Sequence, residues 1–169
     1  MPLYIHLLFH FVLAVLSGLL FGIYFKRPWL GVIAGICSGF LIDLDHVLEY
    51  FLVFGPRFDI FLFFNGRQFL ASDQIRIFFH AWEYIPLLLL LAYFFRKKTV
   101  VLAFILAFTF AGAIHLVSDC LINYYPPRNY SIIYRAKKGF LTEKLLDPSQ
   151  YKQFLHQRKM VGIEVNSRY

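Results

Sequence analysis

Long apolar runs are the feature of this sequence that most restricts how it can fold. Four stretches reach the roughly 20 residues that a helix needs to cross the ~30 Å hydrocarbon core of a bilayer. These predicted membrane helices are Leu3–Phe25, Trp29–Phe54, Ile77–Phe95 and Thr99–Ile122. Hydrophobic residues make up 59% of the chain, far above the usual share in a soluble domain. The sequence therefore predicts an all-α integral membrane protein with about four transmembrane helices.

Short basic turns indicate how these helices are connected. The turn "KRP" joins the first two and "RKK" joins the last two, so each pair is predicted to form an antiparallel hairpin. Residues 1–125 are expected to form the membrane domain, with an interfacial loop between the hairpins. Pro126 and Pro127 stop the fourth helix, and residues 126–169 are expected to form a basic interfacial or partly disordered tail with a surface helix near Tyr151–Met160. The net charge of +7 is explained by these flanks, so no nucleic acid partner is predicted.

Ionisable side chains are concentrated where a bilayer tolerates them least. Half of the ten Asp and Glu residues, and all but one of the six His residues, fall inside the predicted spans. They are His6, His10, Asp43, Asp45, His46, Glu49, His80, Glu83, His115 and Asp119. Such groups are costly in hydrocarbon and typically mark a functional site. Because the helices alternate in direction, all ten are predicted to lie in the same leaflet.

The chemistry of this set indicates a metal site. His6 with His10, His80 with Glu83, and His115 with Asp119 are spaced three or four residues apart, which places each pair on one helix face. Imidazole and carboxylate without thiolate suit Zn²⁺ first, with Mn²⁺ or Fe²⁺ as alternatives, and suit Ca²⁺ less well. His6 and His10 are open to a second interpretation as side chains facing the interface. Glu83 is open to three: general base, metal ligand or residue at the rim.

Four segments also match a known family in order. They are "IHLLF" with His6, "LIDLDHVLE" with Asp43, Asp45 and His46, "IRIFFHAWE" with Arg76 and His80, and "AGAIHLVSDCL" with His115 and Asp119. The chain resembles the LexA-regulated, membrane-bound metal-dependent hydrolase family of bacterial inner-membrane proteins. The resemblance implies that the metal-site residues are His6, Asp43, Asp45, His46, His80, His115 and Asp119, and that Arg76 matches the family's arginine. Ile42 and Ile75 depart from its motifs, so the resemblance implies a divergent member in which Glu83 supplies a replacement ligand.

The resulting hypothesis is a hydrolase that acts on a lipid or lipid-linked (phospho)ester at the membrane interface. A metal would lower the pKa of bound water from 15.7 toward ~7, Glu49 or Glu83 would serve as general base, and Arg76 would lie near the substrate's head group. Two other classes stay open at this point. One is a transporter for a divalent cation or protons, and the other is a structural protein with a buried polar network.

Overall fold

The computed structural model describes residues 3–163 of this chain, and within that range it contains helices and no strand. Residues 164–169, the end of the predicted tail, lie outside the described residues. The α-helices are α1 Leu3–Tyr24, α2 Pro28–Phe54, α3 Ile60–Phe64, α4 Arg67–Ala71, α5 Tyr84–Phe94, α6 Thr99–Ile122, α7 Ile132–Lys137, α8 Thr142–Leu145 and α9 Pro148–Met160. A short 3₁₀ helix spans Pro127–Tyr130.

Three helices, α1, α2 and α6, are long and apolar enough to cross a membrane. They pack against one another, and their outer faces are apolar and exposed. Leu20 is 64% exposed and Phe40 is 73% exposed, whereas the interior between the helices holds buried histidines and carboxylates. A soluble protein distributes these residue types the other way round, so the chain has the character of an integral membrane protein.

Glycines allow α1 and α2 to approach closely. A Cβ added to Gly18 would overlap the carbonyl oxygen of Gly31 and lie 2.9 Å from the Cα of Gly35. Small residues at such positions are typical of membrane helices that pack by van der Waals contact of their backbones. The close contact fixes α1 beside α2 and thereby sets the distance between the polar side chains that the two helices carry.

The predicted helix Ile77–Phe95 is corrected to a shorter one. α5 has 11 residues, or about 16 Å at 1.5 Å per residue, which is too short to cross the bilayer as a helix. Pro86 lacks an N–H group and fits a helix only in its first turn, which is where the structure places it. In the preceding segment 72–83, several backbone N–H groups instead donate to distant partners: Ile75 to Phe140, Phe79 and His80 to Asp45, and Trp82 to Tyr130. An isolated bridge also pairs Gln74 with Leu141.

The interhelical loop and the tail pack onto one end of the bundle. In the loop, Phe63 of α3 contacts Tyr50 of α2, and α4 packs against both α2 and α9. The tail helix predicted near Tyr151–Met160 is confirmed as α9. The described part of the tail also contributes buried side chains, among them Tyr130 and Arg135, so it covers the bundle end.

Candidate metal centre

Histidine and aspartate side chains meet at the bundle end that the tail covers. α1 contributes from its first turns, α2 and α6 contribute from their second halves, and the segment 72–83 enters beside them. Among the described residues, the ligand atoms form three groups of three in which every atom lies within 4.8 Å of the others. The groups are His6–His10–Asp119, Asp43–His46–His80 and His80–His115–Asp119. A buried cluster of this composition can hold a metal ion.

Asp119 lies at the centre of the cluster and is 1% exposed. Its Oδ1 atom is 3.2 Å from Nε2 of His6 and 3.1 Å from Nε2 of His10. Its Oδ2 atom is 3.2 Å from Nε2 of His80 and 3.5 Å from Nε2 of His115. Four imidazoles from three different parts of the chain thus converge on one carboxylate.

Asp43 forms the second carboxylate contact of the cluster. Its Oδ1 atom is 3.4 Å from Nε2 of His46, 3.4 Å from Nε2 of His115 and 3.9 Å from Nε2 of His80. Asp43 and His46 are one helical turn apart on α2, so this pair follows directly from the helix geometry. His115 and His80 reach it only because α6 and the segment 72–83 pack against the same face of α2.

Asp45 has a different position from the one that the resemblance implies. Its Oδ2 atom accepts hydrogen bonds from the backbone N–H groups of Phe79 at 2.6 Å and His80 at 3.1 Å, and contacts Nδ1 of His80 at 2.9 Å. A carboxylate accepts only, so Nδ1 of His80 carries a proton, and in the neutral imidazole Nε2 keeps its lone pair for a metal ion. Carboxylates often orient metal-binding histidines in this way. The structure therefore places Asp45 behind His80 and outside the three ligand groups.

The distances within the cluster are compatible with a metal ion, and the unpartnered atoms around it favour one. With Zn–N and Zn–O bonds of about 2.0–2.1 Å, two donors on one tetrahedral ion lie about 3.4 Å apart. The four contacts to Asp119 span 3.1 to 3.5 Å. Within residues 3–163, Nε2 of His10, Oδ1 of Asp43 and both ring nitrogens of His46 are buried without a hydrogen-bond partner. Buried polar atoms are normally satisfied, so this pattern favours a bound cation.

Lysine and arginine do not pair with the carboxylates of the cluster. Among the described residues, the ion-pair partners of Asp43, Asp45 and Asp119 within 4.0 Å are all histidines. Asp45 and Asp119 are buried and Asp43 is half-buried, and negative charge in such a place is costly without a positive counterpart. A divalent ion can supply that positive charge, as can protonated histidines.

A pocket of about 510 Å³ connects the cluster to the surroundings of the bundle. His6, His46, His80 and Asp119 line it, together with apolar side chains such as Phe69 and Leu146 and polar ones such as Gln74 and Asn123. The predicted catalytic residues Glu49 and Arg76 also lie in its wall, where Nη2 of Arg76 donates to Oε1 of Glu49 at 3.1 Å. The cluster is thus open to a molecule that has both apolar and polar parts.

Glu83 lies outside both the cluster and the pocket, so its predicted role as base or ligand is corrected. Its carboxylate accepts from Oγ of Ser131 at 2.5 Å and from the backbone N–H groups of Ile132 and Ile133 at 3.2 Å each. These N–H groups begin helix α7 and have no partner within the helix. Glu83 therefore anchors the tail to the start of α5.

The sequence analysis gives too little weight to one residue of the centre, His10, and misses another that supports it, Arg135. His10, which the sequence leaves open, is 1% exposed and belongs to a ligand group, as its spacing from His6 would allow. Arg135 is 0% exposed and donates to the carbonyl oxygens of His80 at 3.0 Å and Asn129 at 3.3 Å. Burial lowers the pKa of its guanidinium, while Asp45 and Glu83 oppose this shift. Nothing in the tail sequence indicates this contact, because it joins residues 55 positions apart.

Comparison with known proteins identifies no relative. No family model matches the chain, and no curated protein or solved structure is significantly similar to it. The resemblance described above therefore rests on the four sequence motifs alone.

Proposed function

We propose that this protein is a membrane-embedded, metal-dependent hydrolase that acts on a lipid or lipid-linked (phospho)ester. The observation that carries the proposal is the convergence of four imidazoles on Asp119 beside a pocket whose lining is partly apolar, partly polar and includes Arg76. Zn²⁺ is the first candidate because the donors are imidazole and carboxylate at tetrahedral spacing, with Mn²⁺ and Fe²⁺ as alternatives.

A metal ion held by His6, His10, His80, His115 and Asp119 would supply an activated water to the reaction. A divalent ion can lower the pKa of bound water to ~7 and so supply hydroxide at neutral pH. Glu49 is the general base of the proposal, because it lines the pocket and Glu83 does not. Its hydrogen bond with Arg76 also fixes the guanidinium in the pocket wall.

The substrate class follows from the pocket lining. Apolar residues such as Phe69 and Leu146 suit an acyl or isoprenoid chain, and Arg76 suits an anionic head group. Arginine binds phosphate oxygens through two parallel hydrogen bonds. A phosphoester that carries a long apolar chain satisfies both parts of the pocket.

The proposal includes a fourth membrane crossing made of two parts. α5 would cover the half of the bilayer away from the site, and residues 77–83 would cover the half near it as non-helical backbone. Irregular backbone is tolerated at that depth only where protein groups satisfy it. Asp45 does so for Phe79 and His80, and the carbonyl oxygen of Tyr130 does so for Trp82. The resemblance places such a protein in a bacterial inner membrane.

The polar side chains farther from the site favour a hydrolase over a transporter. An ion pathway needs polar groups that continue into the other leaflet. Ser17 donates to the carbonyl oxygen of Leu13 in its own helix, and Thr109 donates likewise to Ile105. These hydroxyls satisfy local backbone and do not extend the cluster.

The test combines metal content with turnover in detergent. We expect the wild-type protein to bind zinc, measured by elemental analysis, and to release phosphate from a long-chain alkyl phosphate, measured colorimetrically. Asp119→Ala should lose both properties. His156→Ala is the matched control, since His156 is exposed on α9, and it should keep both. Unchanged metal content and turnover in Asp119→Ala would refute the proposal.

A separate variant tests the substrate class. Arg76→Ala should raise KM for the alkyl phosphate and leave the metal content unchanged. The same variant should have little effect on an uncharged acyl ester of equal chain length. An equal loss on both substrates would show that Arg76 does not bind the anionic group.

A further inference from the structure

The two oxygens of Asp119 face separate pairs of histidines. Oδ1 lies near Nε2 of His6 and His10, and Oδ2 lies near Nε2 of His80 and His115, all at 3.1 to 3.5 Å. Each set thus holds three donors, the number that a catalytic zinc ion commonly takes from a protein. The two sets share only the carboxylate.

On the Oδ1 side, the hydrogen bonds around His10 indicate which nitrogen carries the proton. Oγ of Ser118 donates its single hydrogen to the carbonyl oxygen of His115 at 2.7 Å. Toward Nδ1 of His10, 3.2 Å away, the same oxygen therefore acts as acceptor, and Nδ1 is protonated. In the tautomer with a single proton on Nδ1, the Nε2 lone pair of His10 faces Oδ1 of Asp119 at 3.1 Å. A metal ion between these two atoms would satisfy both, as would a second proton on the imidazole, and metal content distinguishes the two cases.

The Oδ2 side has the same arrangement with different residues. His80 donates from Nδ1 to Asp45, so its Nε2 lone pair faces Oδ2 of Asp119 at 3.2 Å. Oδ1 of Asp43 lies 3.4 Å from Nε2 of His115 and offers a fourth donor. With both imidazoles neutral, the Nε2 lone pair of His10 thus faces Oδ1 of Asp119, and that of His80 faces Oδ2.

The spacing between the two sets fits a pair of ions. The rings of His10 and His115, which belong to different sets, are stacked with centroids 3.9 Å apart and an angle of 28° between their planes. Paired metal ions in hydrolytic enzymes lie about 3.5–4 Å apart. Parallel imidazoles at that separation can each direct Nε2 at its own ion.

We propose that the centre holds two divalent ions bridged by Asp119. The first is bound by His6, His10 and Oδ1 of Asp119, and the second by His80, His115, Asp43 and Oδ2 of Asp119. With three protein donors and His6 in the pocket wall, the first ion keeps a position open for water or substrate. This inference rests on the proposed metal-dependent function and specifies the number and arrangement of its ions.

The test is a zinc titration of chelator-stripped protein in detergent, with bound metal counted by elemental analysis after equilibrium dialysis. We expect two equivalents per chain in the wild type and one each in His10→Ala and His115→Ala. His156→Ala should bind two. One equivalent in the wild type that both variants abolish would overturn the proposal, and so would the absence of any bound ion.

A milder variant tests the same arrangement with less risk that the protein fails to fold. Ser118→Ala keeps every proposed ligand and removes only the acceptor that orients His10, so it should weaken one of the two ions about 10- to 100-fold. Loading with Mn²⁺ supplies a second readout, because two bridged ions give a spin-coupled electron paramagnetic resonance signal. Uncoupled Mn²⁺ in a wild-type protein that binds two equivalents would overturn the bridging role of Asp119.

Turnover separates this inference from the proposed function. Two bridged ions without hydrolysis of any phosphoester or acyl ester would support the inference and count against the hydrolase. Hydrolysis with a single bound ion would support the hydrolase and overturn the inference.

Discussion

Replacement of Asp45 by asparagine tests how the structure builds its candidate centre. In Asp45→Asn, the side-chain oxygen can still accept from the backbone N–H groups of Phe79 and His80, but the negative charge opposite Nδ1 of His80 is lost. Carboxylates in this position raise the basicity of the histidine and fix its ring, and their removal typically lowers metal affinity 10- to 100-fold. That change corresponds to roughly 1.4 to 2.8 kcal/mol of binding free energy.

The assay is competition for zinc against a chromophoric chelator in detergent. Asp147→Asn provides the control, because Asp147 also accepts from two backbone N–H groups, those of Ser149 and Gln150, but lies far along the chain in the cap of α9. Its zinc affinity should equal that of the wild type. An unchanged affinity in Asp45→Asn would refute the orienting role. Complete loss of zinc in a folded protein would show that Asp45 is a direct ligand, as the resemblance implies.

Three further predictions concern stability. Gly18→Ala forces a methyl group against Gly31 and Gly35, so it should destabilise the protein by about 1–3 kcal/mol and lower its Tm in detergent; an unchanged Tm would contradict the close α1–α2 contact. Removal of zinc by a chelator should also lower the Tm, since an ion present at 100 times its Kd stabilises by about 2.7 kcal/mol, and Asp119→Ala should abolish the difference. The carboxylate of Glu83 accepts from the hydroxyl of Ser131 and from the backbone N–H groups of Ile132 and Ile133, and a charged acceptor forms stronger hydrogen bonds than a neutral one. Glu83→Gln should therefore lower the Tm, and an unchanged Tm would refute its role in anchoring the tail.

The sequence predicts which end of the helical bundle carries the site, because the helices and the positions of residues along them follow from local periodicity. Apolar runs of about 20 residues indicate α1, α2 and α6, and the short turn between α1 and α2 fixes their antiparallel arrangement. The positions of His6 early in one helix and of Asp119 late in another then follow from residue counting. The convergence of histidines and aspartates is thus anticipated from spacing alone.

The errors arise where backbone hydrogen bonds run between distant parts of the chain. The segment 77–83 is apolar enough to look like helix. Its backbone N–H groups at Phe79 and His80 nevertheless donate to Asp45, and that of Trp82 donates to Tyr130 in the tail. Pro86 is the one local signal that the helix begins later. Glu83 has helical spacing from His80, but without a helix between them that spacing has no meaning, and Glu83 turns toward α7.

The sequence by itself determined the class of the protein and the chemistry of its polar residues. Hydrophobic length and the separation of like residues along a helix are local properties. They suffice to predict the three long helices and to predict that the histidines and aspartates lie toward one end of the bundle. Only the tertiary structure decided which residues face Asp119 and which, like Asp45, instead contact the far nitrogen of a candidate ligand. That choice depends on the close α1–α2 contact at Gly18 and on the tail that holds His80 through Arg135. Both are long-range contacts, because a buried backbone group binds whichever partner the fold brings to it.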